Sequence, residues 1–217
     1  MWAFGTPRAA CLGAACVFAS IGSASAGSPA LHTLQSADFA QESAALVARQ
    51  VAHWVMNSGD NAGLPFVIVD KVNAKVFVFH SNGQLRGATP ALIGLAVGDD
   101  SVEGIGERKL SSILPSERTT PAGRFVASLD RNIKGNEILW VDYAGAISLH
   151  PVITNNTKEQ RAQRLASPSP SDNRISYGCI NVPAAFFNLV VRHAFKASNG
   201  IVYVLPETRT ARETFGL

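Results

Sequence analysis

Two runs of alternating β-branched and aromatic residues, Phe66 to Asp70 and Lys75 to Phe79, flank the short connection Val72-Asn73-Ala74, and Ser81-Asn82-Gly83 supplies the next reversal before Leu85 to Val97. Side chains that widen at Cβ or carry rings suit a pleated surface and lose rotamer freedom in a helix, so this stretch is committed to an antiparallel meander. Arg124 to Ser128, Ile138 to Asp142, Ala146 to His150 and Gly200 to Leu205 have the same character and predict further short strands. The implied class is mostly β with flanking helices (α+β).

Two segments carry the helical period instead. After Asp38-Phe39-Ala40-Gln41, which has the form of a capping-box start, Ala40, Ala44, Val47, Val51, Trp54 and Val55 recur at helical spacing until Gly59. Pro183 to Phe195 predicts a second helix, with Ala185, Phe187, Leu189, Val190 and Phe195 on its apolar face. Gly98 to Gly123 and Thr154 to Arg174 are polar and without period, the pattern of long surface loops that carry function.

The first 26 residues contain Arg8, an apolar run from Ala9 to Ile21 and Ala24-Ser25-Ala26. This is the form of a secretory signal peptide cleaved after Ala26, and the run is shorter than the ~20 residues of a membrane span. The expectation is an exported protein of the periplasm or cell envelope, with no membrane-spanning segment after cleavage. Nineteen Lys and Arg against sixteen Asp and Glu give a net charge of only +3, which provides no footprint for a nucleic acid and no handle on a protein partner.

Cleavage would also remove Cys11 and Cys16, leaving Cys179 as the single thiol. A lone cysteine in an oxidising compartment is either buried and inert or retained for its chemistry. Its surroundings, Ile175-Ser176-Tyr177-Gly178-Cys179-Ile180-Asn181-Val182-Pro183, place it just before the second predicted helix. A helix N-terminus lowers a thiol pKa, Gly178 lets a substrate carbonyl approach the backbone, and Asn181 is positioned as the N-cap. Of the five histidines, His150 is the candidate base, because it ends a strand where an apolar run opens into a loop. A zinc site would need two further ligands at suitable spacing, and no C-x-x-C or H-x-x-x-H pattern supplies them. A papain-like peptidase usually places its histidine after the cysteine, whereas His150 precedes Cys179.

Ser176-Tyr177-Gly178-Cys179-Ile180-Asn181 resembles the signature of the L,D-transpeptidase (YkuD-type) family, in which Ser or Thr, His, Gly, Cys, an apolar residue and often Asn follow in that order. Thr120-Pro121-Ala122-Gly123-Arg124-Phe125 resembles the family's T-P-x-G-x-F segment, and Val69-Asp70 through Phe79, with Gly94 and Gly98, resembles its opening strands. The resemblance divides the chain into a signal peptide (1–26), an N-terminal helical segment (27–63), a catalytic domain (64–205) of sandwich or barrel-like form, and a C-terminal tail (206–217).

What the resemblance implies is a cysteine enzyme acting on peptidoglycan stem peptides through a thioester on Cys179, with His150 as base, the amides of Gly178 and Cys179 as oxyanion donors, and no metal or organic cofactor. Ser176, Tyr177, Asn181 and Arg174 are the candidates for substrate contact, Arg174 through its bidentate fork. Tyr177 stands where the family usually has His, Pro151 follows His150 where Gly is common, and the His150 to Cys179 separation is long because of the 154–170 loop, a candidate lid or docking element. An L,D-carboxypeptidase, a peptidoglycan amidase and a non-catalytic wall-binding protein are the alternatives on the same scaffold.

Overall fold

A computed structural model describes residues 36–217, so the expected signal peptide lies outside the described residues. Among the described residues ten strands form: β1 Phe66–Asp70, β2 Lys75–Phe79, β3 Leu85–Pro90, β4 Ile93–Gly94, β5 Gly123–Arg131, β6 Glu137–Asp142, β7 Ile147–Pro151, β8 Arg174–Ser176, β9 Ile180–Val182 and β10 Gly200–Val204. Eight of them make one sheet in the order β3-β2-β1-β10-β5-β6-β7-β9, with β1–β10 and β7–β9 parallel. The short parallel pair β4–β8 stands apart. Just after β3, Leu92 exchanges two 2.8 Å backbone hydrogen bonds with Asn181 on β9 at the opposite edge, so the sheet curls into a nearly closed barrel. The class is mostly β with flanking helices.

The uninterrupted apolar runs of β1, β2 and β10 follow from burial on both faces. Val67, Val69, Val76, Val78, Val202 and Val204 point into the barrel, where they meet Ala127, Leu139, Leu149 and Ile180. Their alternates Phe66, Ile68, Phe77, Phe79, Ile201 and Tyr203 point outward and are covered by Ala48, Val51, Ala52 and Val55 of helix α1, Leu46–Ser58. Each such aromatic or aliphatic side chain, taken from water, contributes ~1.5–3 kcal/mol. The Phe66 and Phe79 rings stack at 4.7 Å, and Phe39 meets Phe77 and Phe79 edge-on at 5.3 and 5.0 Å.

Two helical expectations need correction. The first helix begins at Leu46, not near Asp38. The Asp38 carboxylate accepts from Ala40 N–H, a local turn, while its backbone bonds to Gly83 O and Leu85 N–H, so this segment is held against the β2–β3 hairpin. The second helix runs from Ala184–Phe186 (α3) through a π-helical turn, Phe187–Val191, into Arg192–Phe195 (α4), after the short helix α2, Arg161–Leu165. Leu189, two residues on from Phe187, points away from it and faces solvent, 68% exposed, whereas Val191 is buried.

The C-terminal residues carry a final helix, α5, Ala211–Phe215, whose Thr210 side chain accepts from Glu213 N–H. They are tied to the body by Asp99, which accepts from the N–H groups of Glu207, Thr208 and Arg209. No helix among the described residues is long and apolar enough to cross a membrane.

Candidate active site

Cys179 lies in a tight turn between β8 and β9, and this corrects the expectation of a helix directly behind it. Ile180–Val182 is a strand, paired in parallel with β7, and the helix starts only at Ala184 with Pro183 at its cap position. Asn181 is therefore a strand residue and not an N-cap. The physical reason is the alternation Ile180-Asn181-Val182, which buries both apolar side chains in the barrel core. Whatever activates the thiol comes from neighbouring side chains, since the dipole of the following helix acts within its first turn.

The turn is held from three sides. Ser176 Oγ donates to Cys179 O at 2.6 Å and accepts from Gly178 N–H at 3.1 Å. Thr120 Oγ1 donates to Gly178 O at 2.7 Å and accepts from Gly94 N–H at 2.9 Å, which joins the Thr120-Pro121 segment to the Cys179 turn. Gly178 has φ +127°, and a Cβ there would stand 2.7 Å from both Ile147 Cδ1 and Thr119 O. Strain and overlap both forbid a side chain, so Gly178→Ala is expected to cost about 1–3 kcal/mol and to displace Sγ. Thermal melting, together with the rate of Cys179 alkylation in the still-folded variant, checks this; an unchanged melting temperature would contradict it.

The β7–β9 register places His150 opposite Asn181 and thus beside Cys179. Because β-strand side chains alternate, Ser148 shares the face of His150, and its Oγ lies 3.7 Å from Cys179 Sγ. The thiol also points at Ala146 O, at 3.7 Å. His150 Nδ1 is 2.8 Å from Pro151 O. A carbonyl can only accept, so Nδ1 carries the proton and Nε2 is left to receive one. Burial opposes ionisation of the Cys179 thiol, yet the hydrogen bond and charge of His150, with bonds from Ser148, hold it below the ordinary thiol range. Burial likewise opposes the imidazolium, but the hydrogen bond to Cys179 and its charge raise His150 above the ordinary histidine value.

Cys179 opens into a cavity of about 70 Å³ whose walls include Ile105, Arg108, Ile113, Thr119 and Tyr177. The covering element is thus the 98–123 loop, built as the 3-10 turns Ile105–Glu107, Leu110–Ser112 and Pro115–Glu117, rather than the 154–170 loop. Tyr177 is stacked under the Arg118 guanidinium at 3.9 Å. His150 faces the other way as well, into a cavity of about 340 Å³ shared with Ile138, Ile153 and Phe187.

The remaining candidates divide. Ser176 is buried and shapes the turn. Arg174, expected to bind a substrate carboxylate, is instead clasped by the protein's own Glu207 and donates to the carbonyls of Gly94 and Ala96. Asn181 Nδ2 donates to Cys179 O and lies 3.5 Å from His150 Nε2, and its Oδ1 accepts from Arg161 at 2.7 Å. Sequence reasoning misses Ser148, the Thr120 hydroxyl and Arg161. The period-two reading of Ser148-Leu149-His150 identifies the first, whereas nothing local marks Arg161, twenty residues from its partner. Among the described residues no cluster of three or more His, Cys, Asp or Glu is arranged to hold a metal.

No family model matches the chain, and no curated protein matches it. Among solved structures, the L,D-transpeptidase from Xylanimonas cellulosilytica DSM 15894 is similar with a TM-score of 0.39 and 14% identity, over 65% of this chain and 60% of that one. The catalytic domain of the E. faecium L,D-transpeptidase is similar with a TM-score of 0.32 and 16% identity, over 65% of this chain and 96% of that domain. This chain therefore spans only about 60% of the first of these. What the site does is read from its own residues.

Proposed function

We propose that this chain is an exported L,D-transpeptidase-like acyltransferase that acts on peptidoglycan stem peptides through Cys179. One observation carries the reading: a histidine whose Nδ1–H is pinned to Pro151 O sits beside a thiol held below its ordinary pKa, on a motif that resembles the family signature. Cys179 Sγ attacks the carbonyl of the diamino acid at stem position three. His150 takes the thiol proton as the C–S bond forms and the carbonyl oxygen becomes an oxyanion, then passes it to the leaving nitrogen of the terminal D-residue as the intermediate collapses and the C–N bond breaks. An amine of a second stem peptide then attacks the thioester, His150 accepts its proton, and the thiolate leaves.

The oxyanion role falls to the Cys179 amide, since Gly178 N–H already bonds to Ser176 Oγ. A volume of about 70 Å³ is far below the ~300–1,000 Å³ of a ligand pocket, so entry of the donor peptide requires the 98–123 loop to shift. The roomier cavity on the His150 side suits an acceptor amine, which supports transfer over hydrolysis.

The test is incubation of the chain lacking residues 1–26, and of its Cys179→Ala variant, with disaccharide tetrapeptide muropeptides, read by mass spectrometry. Cross-linked dimers made only by the wild type are the expected result. Tripeptides without dimers would establish a carboxypeptidase, and neither product, with sacculus binding retained, would leave a non-catalytic wall-binding protein.

A further inference from the structure

We infer that Arg161, brought to the site by the 154–173 segment, is a positioning residue that locks the Asn181 amide with its NH2 group, not its oxygen, toward His150, and so keeps the imidazole a proton acceptor. A primary amide has an acceptor at one end and donors at the other, and buried in a strand it can turn either way. Asn181 is fully buried. Arg161 Nη1 donates to Asn181 Oδ1 at 2.7 Å, and a guanidinium has no acceptor, so the flipped amide would set N–H against N–H at that contact. The guanidinium itself is oriented by an ion pair between its Nε and Glu159, and its side chain is 13% exposed.

The consequence lies at the other end of the amide. With Oδ1 held by Arg161, Nδ2 bonds to Cys179 O at 3.3 Å and stands 3.5 Å from His150 Nε2. A neutral imidazole presents a lone pair there and tolerates the donor; an imidazolium would present a second N–H against it. The opposite orientation would offer an oxygen and stabilise the imidazolium. The positive charge of Arg161 acts in the same sense, lowering the affinity of His150 for a proton.

The other charged or titratable groups around His150 are Cys179, which raises it, and Glu137 on β6, which lines the same cavity but is paired at 2.8 Å with Arg192. The thiolate is the strong attraction for the proton, and it vanishes when Cys179 becomes a thioester. At that stage the Arg161–Asn181 pair leaves His150 neutral and ready to deprotonate the acceptor amine. This last role rests on the proposed acyl transfer; the positioning itself does not.

The test separates the two. In a Cys179→Ala background, which removes the thiolate, His150 is titrated by NMR of the histidine-labelled chain without any substrate. Arg161→Gln is expected to raise the His150 pKa by about half a unit or more, and Arg161→Lys, which keeps a charged donor, to restore most of it. Asn181→Ala should raise it too, and adding Arg161→Gln to Asn181→Ala should raise it by less than Arg161→Gln does alone. If Arg161→Gln fails to fold, Asn181→Ala alone, with Arg161 intact, decides the matter. A His150 titration unmoved in every folded variant overturns the positioning role, even if the wild type makes dimers. Equal shifts from Arg161→Gln with and without Asn181→Ala also overturn it, because charge alone then accounts for them; a smaller shift in the Asn181→Ala background, with no turnover by the wild type, overturns the acyl-transfer reading and leaves the Arg161–Asn181 lock standing.

Discussion

Replacing His150 by alanine is expected to slow muropeptide turnover by about 10²–10⁴-fold, the usual worth of a positioned general base. The same variant should react more slowly with iodoacetamide at pH 7. The second effect follows from the thiol. In the wild type His150 overcomes the opposition of burial and stabilises the thiolate, so alkylation sets in below the ~8.5 of an ordinary cysteine. Without His150 the burial remains and its main compensation is gone, leaving only the bonds from Ser148, so the onset of alkylation should move to higher pH.

The sign with pH is equally definite. Cys179 is lowered and His150 is raised, so both shifts favour the thiolate–imidazolium pair, whose population falls as pH drops through the lowered thiol value and as it rises through the raised histidine value. The wild-type alkylation profile should rise early and inflect again as His150 loses its proton. In His150→Ala a single late rise is expected. Identical profiles for the two proteins would remove His150 from the site. Ser148→Ala should move the thiol upward by a smaller amount, because Ser148 donates to sulfur at 3.7 Å without contributing a charge.

What could be read from sequence divides along physical lines. β1 and β2 coincide with the expected runs because both of their faces are buried, one in the barrel and one under α1. Phe66 to Val69 and Val76 to Phe79 are therefore apolar without a break, and Asp70 and Lys75 mark the ends that face each other across the turn. The start of α1 was not legible, since the fate of Asp38 is decided by Gly83 and Leu85, more than forty residues away. The strand after Cys179 was hidden by its brevity: three residues before a proline read as the approach to a helix, and only the parallel partner β7 makes them a strand. The proximity of His150 and Cys179 rests on that same pairing. Arg174 shows the limit most clearly, because an arginine just before the Ser176–Asn181 motif suggests a substrate carboxylate, while its actual partner is Glu207, thirty-three residues on.

Asp99→Asn is expected to cost about 3–5 kcal/mol, the effect of leaving a buried cation without its partner, or roughly 6–20 °C in melting temperature for a domain of this size. Lys71 and Asp99 are both almost wholly buried and meet at 2.8 Å. All three Lys71 ammonium protons are used, on Asp99, Gly98 O at 2.5 Å and Thr120 O at 2.9 Å. Asp99 also accepts from Glu207 N–H, Thr208 N–H, Thr208 Oγ1–H and Arg209 N–H. Burial opposes its charge, but the bonds from Lys71, Thr208 and Glu207 prevail and hold it far below the usual carboxylate range. An asparagine there would aim N–H groups at other donors and leave Lys71 with two carbonyls and, as its nearest carboxylate, Glu207 at 3.6 Å.

Lys71→Met should cost less, because Asp99 would keep its four other donors and has Arg209 at 3.9 Å. The pH dependence has a definite direction. A depressed carboxylate contributes fully above the ~3.9 of an unfolded aspartate and loses its contribution as pH falls toward its folded value. Urea melts between pH 7 and 2 should therefore show the wild type losing stability more steeply below pH 4 than Asp99→Asn, although it starts higher; parallel curves would contradict the assignment. The cluster also reaches the Cys179 turn, since Lys71 holds the Thr120 carbonyl and the Thr120 hydroxyl holds Gly178 O. Asp99→Asn should thus lower the alkylation rate of Cys179 at temperatures where the chain is still folded, a loss that a purely peripheral ion pair would not produce.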